Sequence, residues 1–379
     1  MNNMKKTIVV FSSNVEQWGA ERSVCSMCDY LHRQGKEVLV ILPREGAIIN
    51  LLKDIHVEYI ILPFEAWGCT SIKALRPDMF IHKVWYNFKT AKFIQHEIIR
   101  RGYKPMLVYS STILFGTGLY CAKKWNVPHV HHFRENIDAF GYKFIFGESF
   151  TTKYIAKHTN QIICTCNAIK ERYAADFVGK KIDVVNNGVP AIDSLPARPT
   201  FNQIRFVQVA RFMDDKRVID SLNAIKILVD NGFVNLKLDI YGKGPEEDMY
   251  KDFITKNHLH KFIEIKGFCQ NIPFNEYHVG LMTSTFEAFA RTTLDYMNNG
   301  LAVVASNTGG NLEQVVDKKT GLLFEVHNAK NLAECLKYLC DNPNKIEEFG
   351  NKGRQRFLNN FTQDMYQQKI GKIILSYLK

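Results

Sequence analysis

The sequence lacks a long apolar segment. No run approaches the roughly 18 apolar residues that span a bilayer. The first apolar run, residues 7–11, is followed by polar residues and is too short for a secretory signal. We therefore expect a cytoplasmic protein, with a peripheral position at the inner face of the plasma membrane as an alternative.

The sequence also lacks the pattern of a disulfide framework. Its nine cysteines are an odd number, scattered along 379 residues, and fit a reducing compartment. Cys25 and Cys28 form a lone C-x-x-C pair in a predicted helix, without the partners that a redox or metal site needs. Packing of small side chains on one helical face is the simpler interpretation.

Acidic residues are too few to balance the basic ones. The chain carries 49 Lys and Arg against 38 Asp and Glu, and residues 1–195 alone carry 25 against 17. This positive field attracts anionic partners such as nucleotides, phospholipids or nucleic acid, and it does not choose among them. The length of the chain favours two domains over one.

Short apolar runs alternate with helix-length amphipathic segments. In the first half the runs occupy residues 7–12, 38–42, 57–62, 106–110, 129–133, 161–165 and 182–185. Strands separated by helices require crossover connections and therefore form a parallel sheet. An Asn-Asn-Gly-Val-Pro break at residues 186–190 ends the pattern, and the stretch to residue 200 is typical of a linker.

A second alternation follows, from residues 204–209 to residues 322–324, and helical patterns close the chain. We predict an α/β protein with two Rossmann-like, doubly wound domains that face each other across a cleft, the usual place for a ligand. The expected domains are residues 1–195 and residues 196–360. A final helix, residues 361–379, is expected to cross back and pack on the first domain.

Two carboxylates in residues 284–300 favour a ligand site over a core. Glu287 lies in a predicted turn after the strand at residues 279–282, and Asp295 lies in the helix that follows. Leu294, Met297 and Leu301 have the spacing of a helix that packs one face onto a sheet. An open α/β sheet binds small ligands at such carboxyl ends of its strands.

Several blocks of the second half carry a family resemblance. They are Val209-Ala210-Arg211-Phe212 with Lys216, Tyr241-Gly242-Lys243-Gly244-Pro245, residues 284–300, residues 302–306, Thr308-Gly309-Gly310 with Glu313, and residues 321–323. In the first half the blocks are Trp18-Gly19-Ala20-Glu21 and Asn187-Gly188-Val189. The chain resembles the retaining, nucleotide-sugar-dependent glycosyltransferases of family 4, of the bacterial envelope polysaccharide and glycolipid type. Their fold, named GT-B, has two Rossmann-like domains.

The resemblance implies a role for each matched residue. Arg211 and Lys216 would neutralise the donor's phosphates, Glu287 would meet the sugar hydroxyls, and Asp295 would meet the ribose. Amides at the helix start and at Gly19 would bind the same phosphates, because a helix N-terminus carries a partial positive charge. The remaining donor-binding positions would be Gly242, Ala288, Phe289, Ala290, Arg291, Thr292 and Thr293.

The chain departs from the family pattern at several of these positions. Asp295 stands where the family usually has a second glutamate, so its carboxylate reaches one methylene less far. Ala288 and Ala290 replace glycines and lose the freedom to adopt positive φ. The sequence also contains no Asp-x-Asp, the motif with which many other sugar transferases hold a divalent cation. We expect a site without metal or cofactor, in which protein cations balance the phosphates.

The histidines of residues 129–132 admit three interpretations. Alternation along a strand sends His129 and His131 to one face and His132 to the other. The resemblance implies that His132 points into the cleft near the sugar. Metal binding by the three lacks a second ligand group at zinc spacing, and a plain buried or capping histidine is the third interpretation.

The predicted activity is transfer of a sugar from a nucleotide diphosphate sugar, UDP by frequency in the family, to a hydroxyl of a glycan or lipid-linked acceptor, with retention. Residues 73–92 mix Lys73, Arg76, Lys83, Lys89 and Lys92 with aromatic residues. Such a helix suits an anionic membrane surface, or it packs on its own domain. The alternatives are a nucleotide-sugar epimerase or hydrolase of the same fold, and a basic nucleic-acid-binding protein, for which no motif is present.

Overall fold

The computed structural model describes residues 4–69, 77–139, 141–195, 200 and 202–378. Contacts divide the chain into two units, Met1–Asn187 with Asp364–Lys379, and Gly188–Gln363. The sequence predicts a boundary at residues 195–196, but the chain has already joined the second unit at Gly188. The reason is a short pairing within that unit, in which Gln363 donates its backbone N–H to the carbonyl of Val189 at 2.8 Å.

The first unit is built on a seven-stranded parallel sheet in the order β3-β2-β1-β5-β6-β8-β9. Its strands are β1 (Lys5–Phe11), β2 (Glu37–Leu42), β3 (Glu58–Ile61), β5 (Tyr103–Ser110), β6 (His129–Phe133), β8 (Gln161–Cys164) and β9 (Ile182–Val184). Two further short strands, β4 (Gly68–Cys69) and β7 (Lys143–Phe144), pair antiparallel outside this sheet.

Helices cover both faces of the first sheet. They are α1 (Gly19–Arg33), α2 (Ile48–Asp54), α3 (Pro77–Arg100), α4 (Thr117–Trp125), α5 (Glu148–His158), α6 (Asn167–Tyr173) and, from the chain end, α13 (Gln363–Ser376). Alternate residues of β1 enter different cores: Ile8 and Val10 pack in one apolar cluster, and Val9 and Phe11 in the other. Helix α13 joins the first cluster with Tyr366, Ile370 and Ile374.

The second unit is built on a six-stranded parallel sheet in the order β12-β11-β10-β13-β14-β15. Its strands are β10 (Ile204–Val209), β11 (Leu236–Tyr241), β12 (Ile263–Gly267), β13 (Val279–Met282), β14 (Ala302–Ser306) and β15 (Gly321–Phe324). Its helices are α7 (Val218–Asp230), α8 (Glu247–Lys256), α9 (Arg291–Asn298), α10 (Asn311–Gln314), α11 (Ala329–Asp341) and α12 (Pro343–Asn360).

The strand order of the second sheet reverses between β10 and β13. The chain runs outward from β10 through β11 to β12, and then returns to β13 on the other side of β10. Loops that leave the carboxyl ends of β10 and β13 therefore diverge, and such a switch point is where open α/β sheets bind ligands. The predicted α/β class with parallel sheets in two units is confirmed.

Candidate functional site

The candidate site lies at this switch point, where two loops are tied to each other. One loop, residues 210–217, follows β10, and the other, residues 283–290, follows β13. The Thr283 hydroxyl accepts from Gln208 Nε2 at 2.7 Å and donates to the carbonyl of Lys216 at 2.8 Å. The Thr285 amide donates to the carbonyl of Asp215 at 2.9 Å. These bonds fix the predicted residues of both loops relative to each other.

Lys216 and Glu287 form an ion pair at the centre of the site. Lys216 Nζ lies 2.6 Å from Glu287 Oε1, and the two side chains are only 15% and 17% exposed. The Ser284 hydroxyl donates to the same Oε1 at 2.7 Å. Glu287 Oε1 therefore has two donors inside the protein, which hold the carboxylate in one orientation.

Lys216 keeps its charge in this setting. Burial lowers the pKa of Lys216, but the charges of Glu287 and Asp215 outweigh burial, and the pKa lies above its ordinary value. The charge of Arg211 acts in the opposite direction on the same group. Arg211 and Lys216 are therefore close enough for their charges to interact, as a diphosphate site requires.

Arg217 has a different role from its neighbours. Its guanidinium pairs with Asp220 at 2.9 Å and Asp214 at 3.1 Å, and its backbone is left-handed, with φ of 49°. A glycine at this position would adopt that conformation without strain. The Arg217 side chain binds Asp214 and the first turn of α7, so its charge is not directed at the ion pair of Lys216 and Glu287.

Two glycines after β14 fix the backbone of the Glu287 loop. Gly310 donates its N–H to the carbonyl of Glu287 at 2.7 Å. A Cβ on Gly309 would lie 2.1 Å from that carbonyl oxygen, and φ of Gly309 is +51°. A Cβ on Gly310 would lie 2.0 Å from the carbonyl oxygen of Ala288. The sequence identifies these glycines only as part of a resemblance, and the structure shows that close backbone approach requires them.

Gly242 serves a similar packing role in the loop after β11. Its φ is +152°, and a Cβ there would lie 1.8 Å from the carbonyl oxygen of Ala210. The Phe212 amide donates to the carbonyl of Lys243 at 3.0 Å. Glycine at position 242 therefore lets this loop pack beside Arg211, and the predicted contact of Gly242 with the donor stays a prediction.

The N-terminus of α9 presents backbone amides beside Glu287. Ala290 is the N-cap residue and makes no side-chain cap hydrogen bond. The start of a helix carries a partial positive charge, so the start of α9 at Arg291 to Thr293 suits an anion. Gln314 Nε2 donates to the carbonyl of Ala290 at 2.7 Å and holds the start of the helix.

Some predicted donor-binding side chains are instead packing groups. Phe289 is buried and its ring packs edge-on against that of Phe361, at 66° with centroids 5.2 Å apart. Thr293 is fully buried and its side chain does not face solvent. The guanidinium of Arg291 donates to the carbonyl of Gly188 at 2.6 Å. Asp295 and Thr292 are half-buried on α9.

His132 occupies the interior of the first unit. The sequence predicts a ring that faces the sugar, whereas the ring is fully buried. Its Nδ1 lies 2.6 Å from the Tyr109 hydroxyl and its Nε2 lies 3.2 Å from the Thr165 hydroxyl. Burial and then the charge of Arg134 lower the pKa of His132, so the ring is neutral at pH 7.

The hydrogen-bond network around His132 occupies both ring nitrogens. Arg134 donates to the Tyr109 hydroxyl oxygen at 3.4 Å, and that hydroxyl contacts His132 Nδ1. The Thr165 hydroxyl contacts Nε2 and donates to the carbonyl of Phe133. Both nitrogens therefore have protein partners, which matches the interpretation as a buried histidine.

The other two histidines of β6 also bond to the protein. His129 lies 2.9 Å from the Ser110 hydroxyl through Nε2 and 3.0 Å from the Thr159 hydroxyl through Nδ1. His131 Nε2 lies 2.7 Å from the carbonyl of Thr112. The rings of His129 and His131 are 5.0 Å apart, which confirms that these two share a face of the strand.

Gly19 begins α1 in the first unit. Its carbonyl accepts from the Ser23 hydroxyl at 3.0 Å, and its N-cap residue Trp18 makes no side-chain cap hydrogen bond. The Ser23 hydroxyl also bonds to Asn187 Oδ1, which accepts from Arg134 at 3.2 Å. The sequence gives no role to this buried network, and the predicted phosphate contact at Gly19 stays a prediction.

The charges and donors at the switch point define the chemistry of the site. Arg211, Lys216 and the amides of α9 attract phosphate oxygens, and the fixed Glu287 carboxylate accepts hydrogen bonds from hydroxyl groups. This combination suits a ligand with both a diphosphate and a polyol. In the part of the chain that the structure describes, no helix is long and apolar enough to cross a membrane.

Comparison with known proteins places each half in a glycosyltransferase family. The model for "Glycosyltransferase Family 4" matches residues 19–191, and that for "Glycosyl transferases group 1" matches residues 196–356. Among solved structures, Anabaena HepE in complex with UDP and glucose has a TM-score of 0.77, with 18% sequence identity. That similarity covers 98% of this chain and 100% of HepE.

Two Staphylococcus aureus proteins are related in sequence. A poly(ribitol-phosphate) alpha-N-acetylglucosaminyltransferase is 27% identical over 263 residues, which cover 68% of this chain and 51% of the relative. The capsular polysaccharide biosynthesis glycosyltransferase CapM is 26% identical over 176 residues, which cover 45% of this chain and 46% of the relative. The matches thus span about half the length of these relatives. Together with the two family models and the HepE fold, they show that the chain belongs to the family 4 type of glycosyltransferases with the GT-B fold.

Proposed function

We propose that the protein transfers a sugar from a nucleotide diphosphate sugar to a hydroxyl group of an acceptor. The observation that carries this proposal is the Lys216–Glu287 ion pair at the switch point of the second sheet, 2.6 Å long and beside Arg211 and the start of α9. Phosphate charge grows as the bond between sugar and phosphate breaks. Cations and amides fixed near the diphosphate therefore stabilise the transition state more than the ground state.

We propose retention of the anomeric configuration. Both the ammonium of Lys216 and the hydroxyl of Ser284 hold Glu287 Oε1, so this carboxylate is better suited to orient sugar hydroxyls than to attack carbon. The departing phosphate, on the same face as the acceptor, would take the acceptor proton. Formation of a product with inverted anomeric configuration, measured from its proton coupling, would contradict this mechanism.

The proposed site works without a metal ion. Arg211, Lys216 and the amides of Arg291 to Thr293 would supply the positive charge that a divalent cation supplies elsewhere. Asp295 would bind the ribose hydroxyls, and the backbone of Ala288 to Ala290 would follow the sugar and phosphate. We expect chelators to leave the activity unchanged.

UDP is the proposed nucleotide, and an envelope polymer or its lipid-linked precursor is the proposed acceptor. The structure of HepE with UDP and glucose supports the nucleotide. The names of the two staphylococcal relatives support an acceptor among polyol-phosphate or capsular polymers. We also propose peripheral contact with an anionic membrane surface, where a lipid-linked acceptor would lie.

A donor screen followed by a turnover assay tests the proposal. A nucleotide sugar present at 100 times its dissociation constant should stabilise the native state by about 2.7 kcal/mol. Turnover of the stabilising donor is then measured with and without candidate acceptors. Transfer that requires acceptor supports the proposal, whereas equal donor consumption without acceptor would favour an epimerase or hydrolase of the same fold.

A further inference from the structure

Helix α3 exposes apolar side chains where a domain-packing helix exposes polar ones. Its inner face is in the core of the first unit, with Ala91, Ile94 and Ile98 almost completely buried. On the outer face, Ile81 is 67% exposed, Trp85 58% and Phe88 70%. These large side chains are mostly exposed, and an aqueous surface does not favour three of them together.

The exposed residues form one continuous stripe. Ile81, Trp85, Phe88 and Lys92 are spaced by four, three and four residues, which places them on one face of a helix. Lys89 borders the stripe, and its Nζ lies 4.5 Å from the centre of the Trp85 ring. The stripe therefore combines exposed apolar side chains with ammonium groups at its margin. This pattern is typical of a helix that lies in a membrane interface.

Between residues 79 and 96 of α3, the charged side chains are of one sign. Residues 79–96 contain no Asp or Glu. At the end of the helix, the carboxylate of Glu97 is already paired with Arg100 and Arg101. Lys73, Arg76 and the side chain of Phe80, which belong to the basic aromatic stretch in the sequence, lie outside the described residues. A surface of negative charge is the matching partner.

A second helix of the same unit adds to this surface. Phe150 on α5 is 61% exposed and stacks on Tyr154, with ring centroids 6.3 Å apart. The ammonium of Lys123 on α4 lies 5.5 Å from the centre of the Tyr154 ring. Helix α4 joins the two, because Gln95 of α3 donates to the carbonyl of Tyr120 and the Tyr120 ring contacts Tyr154.

We propose that this surface of α3 and α5 docks the first unit on an anionic phospholipid bilayer, with Trp85 and Phe88 in the interface and Lys89 and Lys92 at the lipid phosphates. The proposal specifies the membrane contact of the proposed function. Binding to vesicles is measured without donor or acceptor, so its failure is distinguishable from failure of the transferase activity.

The test is sedimentation of the full chain with vesicles of phosphatidylcholine alone and of phosphatidylcholine mixed with phosphatidylglycerol. We expect binding to the anionic vesicles only, and its loss at high salt, because salt screens the attraction of lysines to the surface. The affinity of the Lys89→Gln/Lys92→Gln variant for the anionic vesicles should be lower by a factor of about ten or more. The Trp85→Ala/Phe88→Ala variant should lose binding to a similar extent.

Matched variants distinguish binding through this surface from general effects of net charge and surface hydrophobicity. Lys251→Gln/Lys337→Gln removes the same charge from exposed positions of the second unit, and Val234→Ala/Met249→Ala removes exposed apolar groups there. Both control variants should bind like the wild type. Equal binding to neutral and anionic vesicles, or equal loss in the control variants, would overturn the proposal.

The competing occupant is a second copy of the chain. Sedimentation equilibrium without vesicles measures this directly, and we expect one molecular mass at all concentrations for the wild type and for Trp85→Ala/Phe88→Ala. A dimer that this double replacement abolishes would overturn the membrane assignment. Circular dichroism melting of each variant shows whether the fold is kept, which we expect because all four replaced side chains are exposed.

Discussion

The ammonium of Lys216 lies 2.6 Å from the carboxylate of Glu287, although 71 positions separate the two residues in the chain. Both follow neighbouring strands of one parallel sheet, on opposite sides of the point where the strand order reverses. In the proposed function, the pair joins a charge that would bind phosphate to a carboxylate that would bind sugar hydroxyls. Each partner therefore depends on the other for its position, and the predictions for the site follow from that dependence.

Replacing Glu287 should strongly reduce sugar transfer with a modest loss of stability. Glu287→Ala removes the group proposed to orient the sugar and leaves Lys216 without its closest carboxylate. One such contact contributes about 1 to 3 kcal/mol, so kcat/KM should fall roughly ten- to a hundredfold or more. Steady-state kinetics and urea unfolding measure the two effects.

A surface ion pair provides the control for Glu287. Glu247 pairs with Lys251 at 2.7 Å on α8, in an exposed setting. Glu247→Ala should change neither kinetics nor stability by more than a small amount, because exposed pairs contribute about 0 to 1 kcal/mol. Wild-type turnover by Glu287→Ala would contradict the role that we assign to this carboxylate.

Asp295 should govern donor affinity rather than the chemical step. A ribose contact is the same in the ground and transition states, so its loss raises KM and leaves kcat nearly unchanged. We expect Asp295→Ala to raise KM for the nucleotide sugar about tenfold, as expected for a hydrogen bond to a charged group. Asp295→Glu, which restores the usual length of the family's carboxylate, should retain affinity. An unchanged KM in Asp295→Ala would show that the ribose lies elsewhere.

Gly309 should be irreplaceable because of its surroundings as well as its backbone conformation. Its φ is +51°, and an added Cβ would lie 2.1 Å from the carbonyl oxygen of Glu287. Gly232 has φ of +84° with open space around it and isolates the conformational cost, about 1 to 2 kcal/mol. We expect Gly309→Ala to unfold at lower urea concentration than Gly232→Ala and to lose activity. Equal midpoints with full activity in both variants would contradict this account of the loop.

Glu135 should make stability depend on pH between about 4.5 and 7. Burial raises the pKa of Glu135 to about 7, although a hydrogen bond with Thr112 and the charge of Arg134 lower it. The native state thus holds a proton that the unfolded chain releases near pH 4.5. The contribution of Glu135 to the free energy of unfolding is therefore fully present below pH 4.5 and is lost as the pH rises through 7.

The Glu135→Gln variant tests that linkage. A shift from 4.5 to about 7 corresponds to at most about 3 kcal/mol, and less because the side chain is only half-buried. The wild type should lose stability relative to Glu135→Gln between pH 4.5 and pH 8, as measured by urea unfolding. Parallel stability curves for the two proteins would show that Glu135 is ionised in the native state.

The sequence predicts the sheets well because their strands are short apolar runs. Residues 204–209 and 236–241 are strands over the predicted ranges, since a strand buried on both faces needs an apolar run with no helical period. Glu287 was predicted from its place after a strand, and Arg211 and Lys216 from the family resemblance; their contact with a ligand stays a prediction. The ion pair between Lys216 and Glu287 could not be predicted, because it depends on how far the Lys216 side chain extends and on the hydroxyl of Ser284.

Side-chain direction is the part that the sequence could not supply. His132 lies next to the end of β6, where a ring can face ligand or core. In the structure the ring is buried and contacts Tyr109 of the neighbouring strand. The aromatic ring of Phe289 could stack on a ligand, but the ring of Phe361, which is far along the chain, packs against it. The need for glycine at position 242 likewise depends on Ala210 in another loop.

The preference of the protein for UDP over uridine tests the central claim most directly. The two ligands differ only in the diphosphate, so their difference in affinity, measured by isothermal titration calorimetry, reports the phosphate-binding charge. We predict that the wild type binds UDP much more tightly than uridine, and that Lys216→Met reduces this preference at least about tenfold, the loss of one charge-assisted contact. A preference that is equally large in Lys216→Met and in the wild type would contradict the placement of the diphosphate at the switch point.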